Sequence, residues 1–291
     1  MFLERIINSV KRRLEVKKAE LPFEKIVELA LDMPQNFDFP FEKALCRFAH
    51  VKETSLYNSD ETRNEPDCFA SLVKTTEASG GISFICEVKK ASPSKGIISH
   101  DFPYMQIAWD YVAGGAAAIS VLTEPEFFLG SDEYLRDISS SLVIPTLRKD
   151  FVIDPYQIYE AKILRASAVL LIAEVLDEKS IREHINTAHS IGLSALVESH
   201  SLPQMEKSIS AGARVIGVNN RNLNTFEVDI NTSINLRKKA PKEHIFVSES
   251  GISTPEDIAI LKENNVNAVL IGETLMRSPD RVKTLKELRC S

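Results

Sequence analysis

Acidic and basic residues stand directly after several short apolar runs of this 291-residue chain. Glu87 and Lys89 follow the first run, Lys149 the third, and Glu198 ends the fifth. A charge at the end of a buried strand must find a partner or a ligand, because an unpaired buried charge is strongly destabilising. Carboxylates and lysines whose pKa values are tuned by their neighbours can exchange protons with a substrate. These four residues therefore predict general acid–base chemistry.

The sixth run also ends in polar residues, Asn219 and Arg221. One alternative is that all of these charges only pair with one another and stabilise the protein. Charges after the first, third and fifth runs, with Asn219 and Arg221 after the sixth, favour a site at one mouth of the fold instead.

The last two runs are followed by residues that suit an anion. Ser250-Gly251 and Gly272 place glycine where a backbone must approach a ligand closely. Thr254 and Pro255 form a helix start, whose backbone N–H groups attract anions. Although Gly251 alone could be a simple turn residue, the agreement of two loops predicts a phosphate site.

Eight apolar runs carry these residues, and they begin roughly 20 to 35 residues apart. Such strands alternating with amphipathic helices predict a parallel sheet covered by helices. We therefore predict the α/β class and a (β/α)8 TIM barrel; an open doubly wound sheet is the alternative, but no G-x-G-x-x-G motif follows the first run. The runs are 82–88, 117–123, 142–147, 168–173, 194–199, 214–220, 244–250 and 268–273.

An N-terminal helical extension precedes the barrel. Apolar residues at helical spacing predict one helix over 3–14, a second from Pro22, and a third over 41–49. The segment 58–67 is polar and predicts an exposed loop that can be shortened. We expect residues 1–81 to pack on a catalytic barrel of residues 82–291 as one structural domain.

Composition excludes several classes of partner. The net charge of −6 provides no basic surface for nucleic acid. No stretch approaches the roughly 20 apolar residues of a membrane helix, and the charged N-terminus does not suit a secretory signal. These features predict a cytoplasmic protein without nucleic-acid or membrane partners.

The four cysteines predict neither a metal site nor a disulfide framework. Cys46, Cys68, Cys86 and Cys290 match no metal-ligand spacing. Cys86 lies inside an apolar run, which predicts a small core residue. Free cysteines fit a reducing compartment.

Long segments in order also resemble a known family. They include FICEVKKASPSKG (84–96), VIGVNNRNLNTFEVD (215–229) and VSESGI (247–252). Together they resemble the indole-3-glycerol phosphate synthase family, over about residues 82–285 and more loosely over the N-terminal helices. The other matching segments are 120–131, 145–154, 167–176, 192–200 and 270–276.

The resemblance implies an enzyme of tryptophan biosynthesis. The family closes the indole ring of 1-(2-carboxyphenylamino)-1-deoxyribulose 5-phosphate, a phosphorylated small molecule, and carbon dioxide and water leave. The resemblance implies no cofactor and no metal, and we expect a monomer or weak homodimer.

The resemblance also implies roles for single residues. Lys149 corresponds to the general acid that protonates the ketone oxygen, and Glu198 to the general base. Glu87 and Lys89 flank the reacting centre, with Lys89 also holding anionic groups of the substrate. The implied substrate-binding residues are Asn219 for orientation, Arg221 for electrostatic support, Ser92 in the first loop, Phe128 and Leu170 in the apolar walls, and Ser250, Gly251, Gly272 and Glu273 in the phosphate loops.

Two positions depart from the pattern of some family members. Glu273 stands where some have serine, and a carboxylate repels phosphate, so we expect this residue to offer only its backbone N–H. Leu129 stands where some have a polar residue.

Two other functions stay open at this stage. One is an isomerase of a phosphoribosyl intermediate on the same barrel, which would share the phosphate loops but not the Lys149–Glu198 pair. The other is a non-catalytic barrel subunit that binds a phosphorylated ligand.

Overall fold

A computed structural model describes residues 2–46, 81–222 and 225–290 of the chain. Eight parallel strands close into a barrel, in which each strand pairs with its neighbours in the chain and the last pairs with the first. The predicted barrel is therefore confirmed. The strands are β1 (Ser83–Val88), β2 (Ala118–Leu122), β3 (Thr146–Lys149), β4 (Ala168–Ile172), β5 (Ser194–Ser199), β6 (Val215–Asn219), β7 (Ile245–Glu249) and β8 (Ala268–Ile271).

Helices precede, connect and follow these strands. The first three form the N-terminal extension, α4 to α10 connect successive strands, and the last two follow β8. They are α1 (Phe2–Glu20), α2 (Phe23–Asp32), α3 (Pro40–Leu45), α4 (Tyr104–Gly114), α5 (Asp132–Ser141), α6 (Pro155–Ile163), α7 (Glu178–Ser190), α8 (Leu202–Ser210), α9 (Asn231–Arg237), α10 (Pro255–Glu263), α11 (Glu273–Arg277) and α12 (Arg281–Arg289).

The core has two layers because side chains alternate along each strand. One face of each strand packs against the helices, as Phe84 and Cys86 do. The other face fills the barrel interior with residues such as Ile85, Leu147 and Leu196. The residue two positions after each of these interior residues also points inward, and it lies at the C-terminal mouth of the barrel. The alternation therefore dictates which side chains enter a site there.

Helix α3 closes the opposite end of the barrel. Phe41 and Leu45 are buried in the same interior cluster as the inward strand residues. The Ser83 hydroxyl donates to the backbone carbonyl of Leu45 at 3.1 Å. Apolar side chains therefore fill this end of the barrel interior, which leaves the C-terminal mouth as the candidate location of a ligand site among the described residues.

Helix α1 is attached to the barrel by a network of ion pairs around the buried Arg148. Arg148, on the outward face of β3, is 1% exposed. Its guanidinium lies 2.7 Å from Glu160 and 3.0 Å from Asp132. Lys17 of α1 reaches the same two carboxylates, at 2.6 Å each. Two carboxylates are thus shared between the barrel and the N-terminal extension.

The third strand lies further along the chain than predicted. The run 142–147 was expected to form it, but that prediction is wrong in its bounds. Leu142 caps helix α5 and Val143 is fully exposed. The strand begins after Pro145, which lacks the N–H group that a sheet ladder needs.

Other bounds also differ from the predictions. Helix α1 continues to Glu20, well beyond residue 14. Strand β8 ends at Ile271, because Gly272 and Glu273 begin a short helix. The third helix ends at Leu45. The predicted loop 58–67 and Cys68 lie outside the described residues.

Two smaller expectations can be compared with the structure. Cys86 is fully buried in the outer core, as expected, and burial raises the pKa of its thiol. Among the residues described, no helix has the length and apolar character to cross a membrane.

Replacing Arg148 by methionine should destabilise the protein by about 3–5 kcal/mol. The side-chain volume is nearly kept, but Asp132 and Glu160 lose their buried partner. Chemical denaturation measures the loss, with Arg136→Met on the exposed face of α5 as the matched control. A loss for Arg148→Met as small as that for the control would show that the network is not structural.

Candidate active site

A pocket of about 480 Å³ opens at the C-terminal mouth of the barrel. Phe128 and Leu170 form part of its apolar wall, while Phe2 and Ile6 of helix α1 close one side. Phe2 packs edge-on against Phe127 with ring centroids 5.4 Å apart. The N-terminal extension therefore contributes directly to the pocket.

Lys149 lies at the centre of the charged part of the pocket. Its Nζ is 3.1 Å from Oε2 of Glu198 and 3.3 Å from Oε2 of Glu249. Lys89 pairs with Glu87 at 2.6 Å on the neighbouring wall. These residues continue the inward faces of β1, β3, β5 and β7, so the barrel register brings together groups that are far apart in the chain.

The charges around Lys149 determine its protonation. Burial alone would lower the pKa of this amine, but Glu198, Glu249 and Glu87 outweigh burial and raise it above its usual value. Lys149 is therefore an ammonium ion at neutral pH. Such a group can donate a proton to a substrate oxygen.

Glu198 has the opposite character. Burial would raise the pKa of its carboxyl, but Lys149 and His200, together with hydrogen bonds, lower it to about 2. The side chain is therefore a carboxylate at neutral pH and can accept a proton. Lys149 and Glu198 thus hold complementary protonation states 3.1 Å apart.

Glu249 is a site residue that sequence reasoning missed. Burial and the nearby Glu198 charge raise the pKa of Glu249 to about 8, although Lys149 opposes the shift. Its carboxyl group is therefore largely neutral at pH 7. It ends an apolar run just as Glu198 does, so the same strand-end rule would have found it.

The loops after β7 and β8 contain the two glycines that the sequence assigned to a phosphate site. Ser250 and Gly251 adopt positive φ values of 68° and 77°. A Cβ on Gly251 would lie 2.3 Å from Val228, and one on Gly272 would lie 2.5 Å from the Glu87 carboxylate. Both loops therefore need glycine.

The predicted helix start after β7 is also present. The Thr254 hydroxyl accepts a hydrogen bond from the Asp257 N–H at 3.2 Å. The Asp257 carboxylate accepts one from the Thr254 N–H at 2.9 Å, which completes a capping box. Helix α10 thus begins at a fixed point directly beyond the Ser250-Gly251 turn.

Three cations surround the Glu273 carboxylate. Arg277 lies 3.2 Å away, Lys95 3.5 Å and Arg221 3.7 Å. These contacts turn the carboxylate toward positive charge at the edge of the pocket. The expectation that Glu273 offers a phosphate only its backbone N–H stays a prediction.

All of the predicted site residues line this one pocket. Besides Glu249, the residues that sequence reasoning did not assign come from α1, from the ends of several strands, from the loops and from α11. No local pattern marks the α1 residues, since their role depends on where the helix packs. The predicted residues in the lining are Glu87, Lys89, Ser92, Phe128, Lys149, Leu170, Glu198, Asn219, Arg221, Ser250, Gly251, Gly272 and Glu273.

Comparison with known proteins gives a consistent result. The family model described as indole-3-glycerol phosphate synthase matches residues 42–288. A protein of that name from Ruminiclostridium cellulolyticum is 49% identical over the whole of both chains. Another, from Thermoanaerobacter pseudethanolicus, is 53% identical over 99% of this chain and 96% of its own.

Solved structures of low sequence identity support the fold alone. The 3-hexulose-6-phosphate synthase from Salmonella typhimurium superposes with a TM-score of 0.60 at 16% identity. The match covers 72% of this chain and 97% of that one.

The raised pKa of Glu249 predicts a pH-dependent stability. The folded protein holds this proton up to pH about 8, whereas the usual value is 4.5. The stabilisation is therefore full below pH about 4.5 and is lost as the pH rises toward 8. Glu249→Gln, which stays neutral, should become more stable relative to the parent between pH 5 and 8. Denaturation curves across this range measure the difference.

The exposed Glu206 provides the control. Glu206→Gln and the parent should give parallel curves of stability against pH. Parallel curves for Glu249→Gln as well would mean that Glu249 is ionised in the folded protein at pH 7.

Proposed function

The chain belongs to the indole-3-glycerol phosphate synthase family, and we propose that Lys149 and Glu198 are the acid and base of its ring-closing reaction. The substrate is 1-(2-carboxyphenylamino)-1-deoxyribulose 5-phosphate. One carbon–carbon bond forms, and carbon dioxide and water leave. The observation that carries the assignment of roles is the buried contact between an ammonium and a carboxylate, 3.1 Å apart, at the centre of the pocket.

Ring closure requires a proton donor. As the aromatic carbon attacks the ketone, negative charge develops on the ketone oxygen. The Lys149 ammonium protonates that oxygen, and its low exposure of 14% strengthens the electrostatic stabilisation.

The later dehydration requires both a base and an acid. Glu198, as a carboxylate, removes a proton from carbon so that the indole double bond can form. The departing hydroxyl must be protonated to leave as water. Glu249 keeps the cluster balanced, since its neutral carboxyl avoids a further negative charge beside Glu198.

The remaining residues orient the substrate. Apolar walls suit the anthranilate ring, while cations suit its carboxylate and the phosphate. Lys89 holds an anionic group beside Glu87. In this proposal Phe128 and Leu170 contact the ring, Asn219 and Arg221 orient the sugar chain with Ser92 closing above, and the backbone of Ser250, Gly251, Gly272 and Glu273 receives the phosphate.

We further propose the setting in which the enzyme works. Residues 1–81 and 82–291 form one structural domain, because α1 and α3 pack into the barrel. The chain acts in the cytoplasm as a monomer or weak homodimer, with a phosphorylated small molecule as its partner and without a cofactor or metal.

Lys149→Met and Glu198→Gln should each lower kcat by about 10²- to 10⁴-fold, because each removes a proton donor or acceptor. Substrate affinity should change much less. Fluorescence of the indole product measures turnover, and melting curves establish that each variant folds. Lys179→Met and Glu183→Gln, at exposed positions of α7, are the matched controls.

A structural ion pair would give another result. Both variants would then melt at lower temperature but keep turnover within a few-fold of the parent. In that case Glu87 and Lys89 become the pair to test.

A further inference from the structure

A second cavity, of about 390 Å³, lies beside the main pocket. It is formed by the segments that follow β4, β5 and β6, and it shares Asn219 and Arg221 with the pocket. All of the residues that line it are polar or charged, including Glu174, Glu227 and Asp229. Such a cavity suits water rather than an apolar ligand.

His200 lies between this cavity and the acid–base centre. The residue follows β5 directly and lines the second cavity. Its Nε2 is 3.4 Å from Oε1 of Glu198, and its side chain is 10% exposed. The other oxygen of Glu198 is the one that contacts Lys149. His200 therefore contacts Glu198, and Glu198 contacts Lys149, so the three side chains connect the edge of the second cavity with the acid.

The loop holds His200 in place, but the described residues leave its ring nitrogens without hydrogen bonds. The backbone N–H of His200 donates to Oε1 of Gln204 at 2.7 Å, and the side-chain amide of Gln204 donates to Glu174 at 2.8 Å. Nearly all buried polar atoms have a partner in protein or water. Both ring nitrogens of His200 are thus buried without a partner, with Nε2 beside Glu198, in a residue that borders the second cavity.

A purely structural histidine looks different in this protein. Nδ1 of His244 lies 2.9 Å from the carbonyl of Ala213, and Nδ1 of His184 lies 2.6 Å from the carbonyl of Ser180. Each of these rings is held by a backbone carbonyl. His200 instead faces a carboxylate of the active site.

The reaction needs a proton from outside in every turnover. Protons are added to the ketone oxygen and to the departing hydroxyl, and one is removed from carbon. In the balanced reaction, the substrate in its carboxylate form and one proton are consumed, and the indole product, carbon dioxide and water are formed. The pair of Lys149 and Glu198 must therefore regain one proton in each cycle, although both side chains are largely buried.

We propose that His200 recharges the centre by passing protons from the second cavity to Glu198, which hands them to Lys149. This inference rests on the proposed reaction. Histidine suits the task because its two ring nitrogens can receive a proton at one end of the ring and release one at the other. His200 acts on Glu198 and does not touch the substrate.

The test measures turnover of the purified full chain in a non-imidazole buffer. His200→Ala should lower kcat by about tenfold or more, while KM should change much less. The loss should be smaller than the about 10²- to 10⁴-fold loss expected when a general base is removed. Added imidazole should restore kcat in a saturable way. Pyrazole, a ring of the same size that is a far weaker base, should not. His244→Ala, at the opposite end of the barrel, is the control, and melting curves monitor folding.

The outcomes separate cleanly. Rescue by imidazole alone supports proton transfer, since a packing defect would be filled equally by either ring. Normal kcat in His200→Ala, or no selective rescue, overturns the inference. If His200→Ala does not fold, His200→Gln is tested in the same way. Absence of turnover in the parent protein would instead contradict the proposed function.

Discussion

The buried Lys149 ammonium is the constraint on which the rest of the site depends. A charge this far from solvent is stable only if carboxylates surround it. Glu198 and Glu249 supply contacts at 3.1 and 3.3 Å, and Glu87 adds a longer-range contribution. The contact with Lys149 keeps Glu198 ionised, whereas burial and the Glu198 charge raise the pKa of Glu249 against the opposing effect of Lys149. The protonation states of the three groups therefore depend on one another.

The barrel backbone is shaped to hold these carboxylates. A Cβ on Gly217 would lie 2.3 Å from Oε1 of Glu249, and one on Gly272 would lie 2.5 Å from Oε2 of Glu87. Glycine at these two positions leaves space for side chains from neighbouring strands. At the opposite end, α3 packs apolar side chains into the barrel interior, away from the charged cluster.

Much of this arrangement could be predicted from the sequence. Strand ends were identifiable because a charge directly after an apolar run must find a partner, and Lys149 and Glu198 follow that rule. The bounds of β3 could not be predicted, since Leu142 and Val143 are as apolar as a strand but precede Pro145. The protonation of Glu249 depends on its contacts with residues of other strands, which local sequence does not specify.

Neutron diffraction from crystals at pH 8 measures the protonation of the cluster directly. This account predicts three deuterons on Nζ of Lys149, the number carried by an ammonium, and none on Glu198. Two deuterons on Lys149 together with a protonated Glu198 would contradict it, because the proton donor and acceptor would then be reversed.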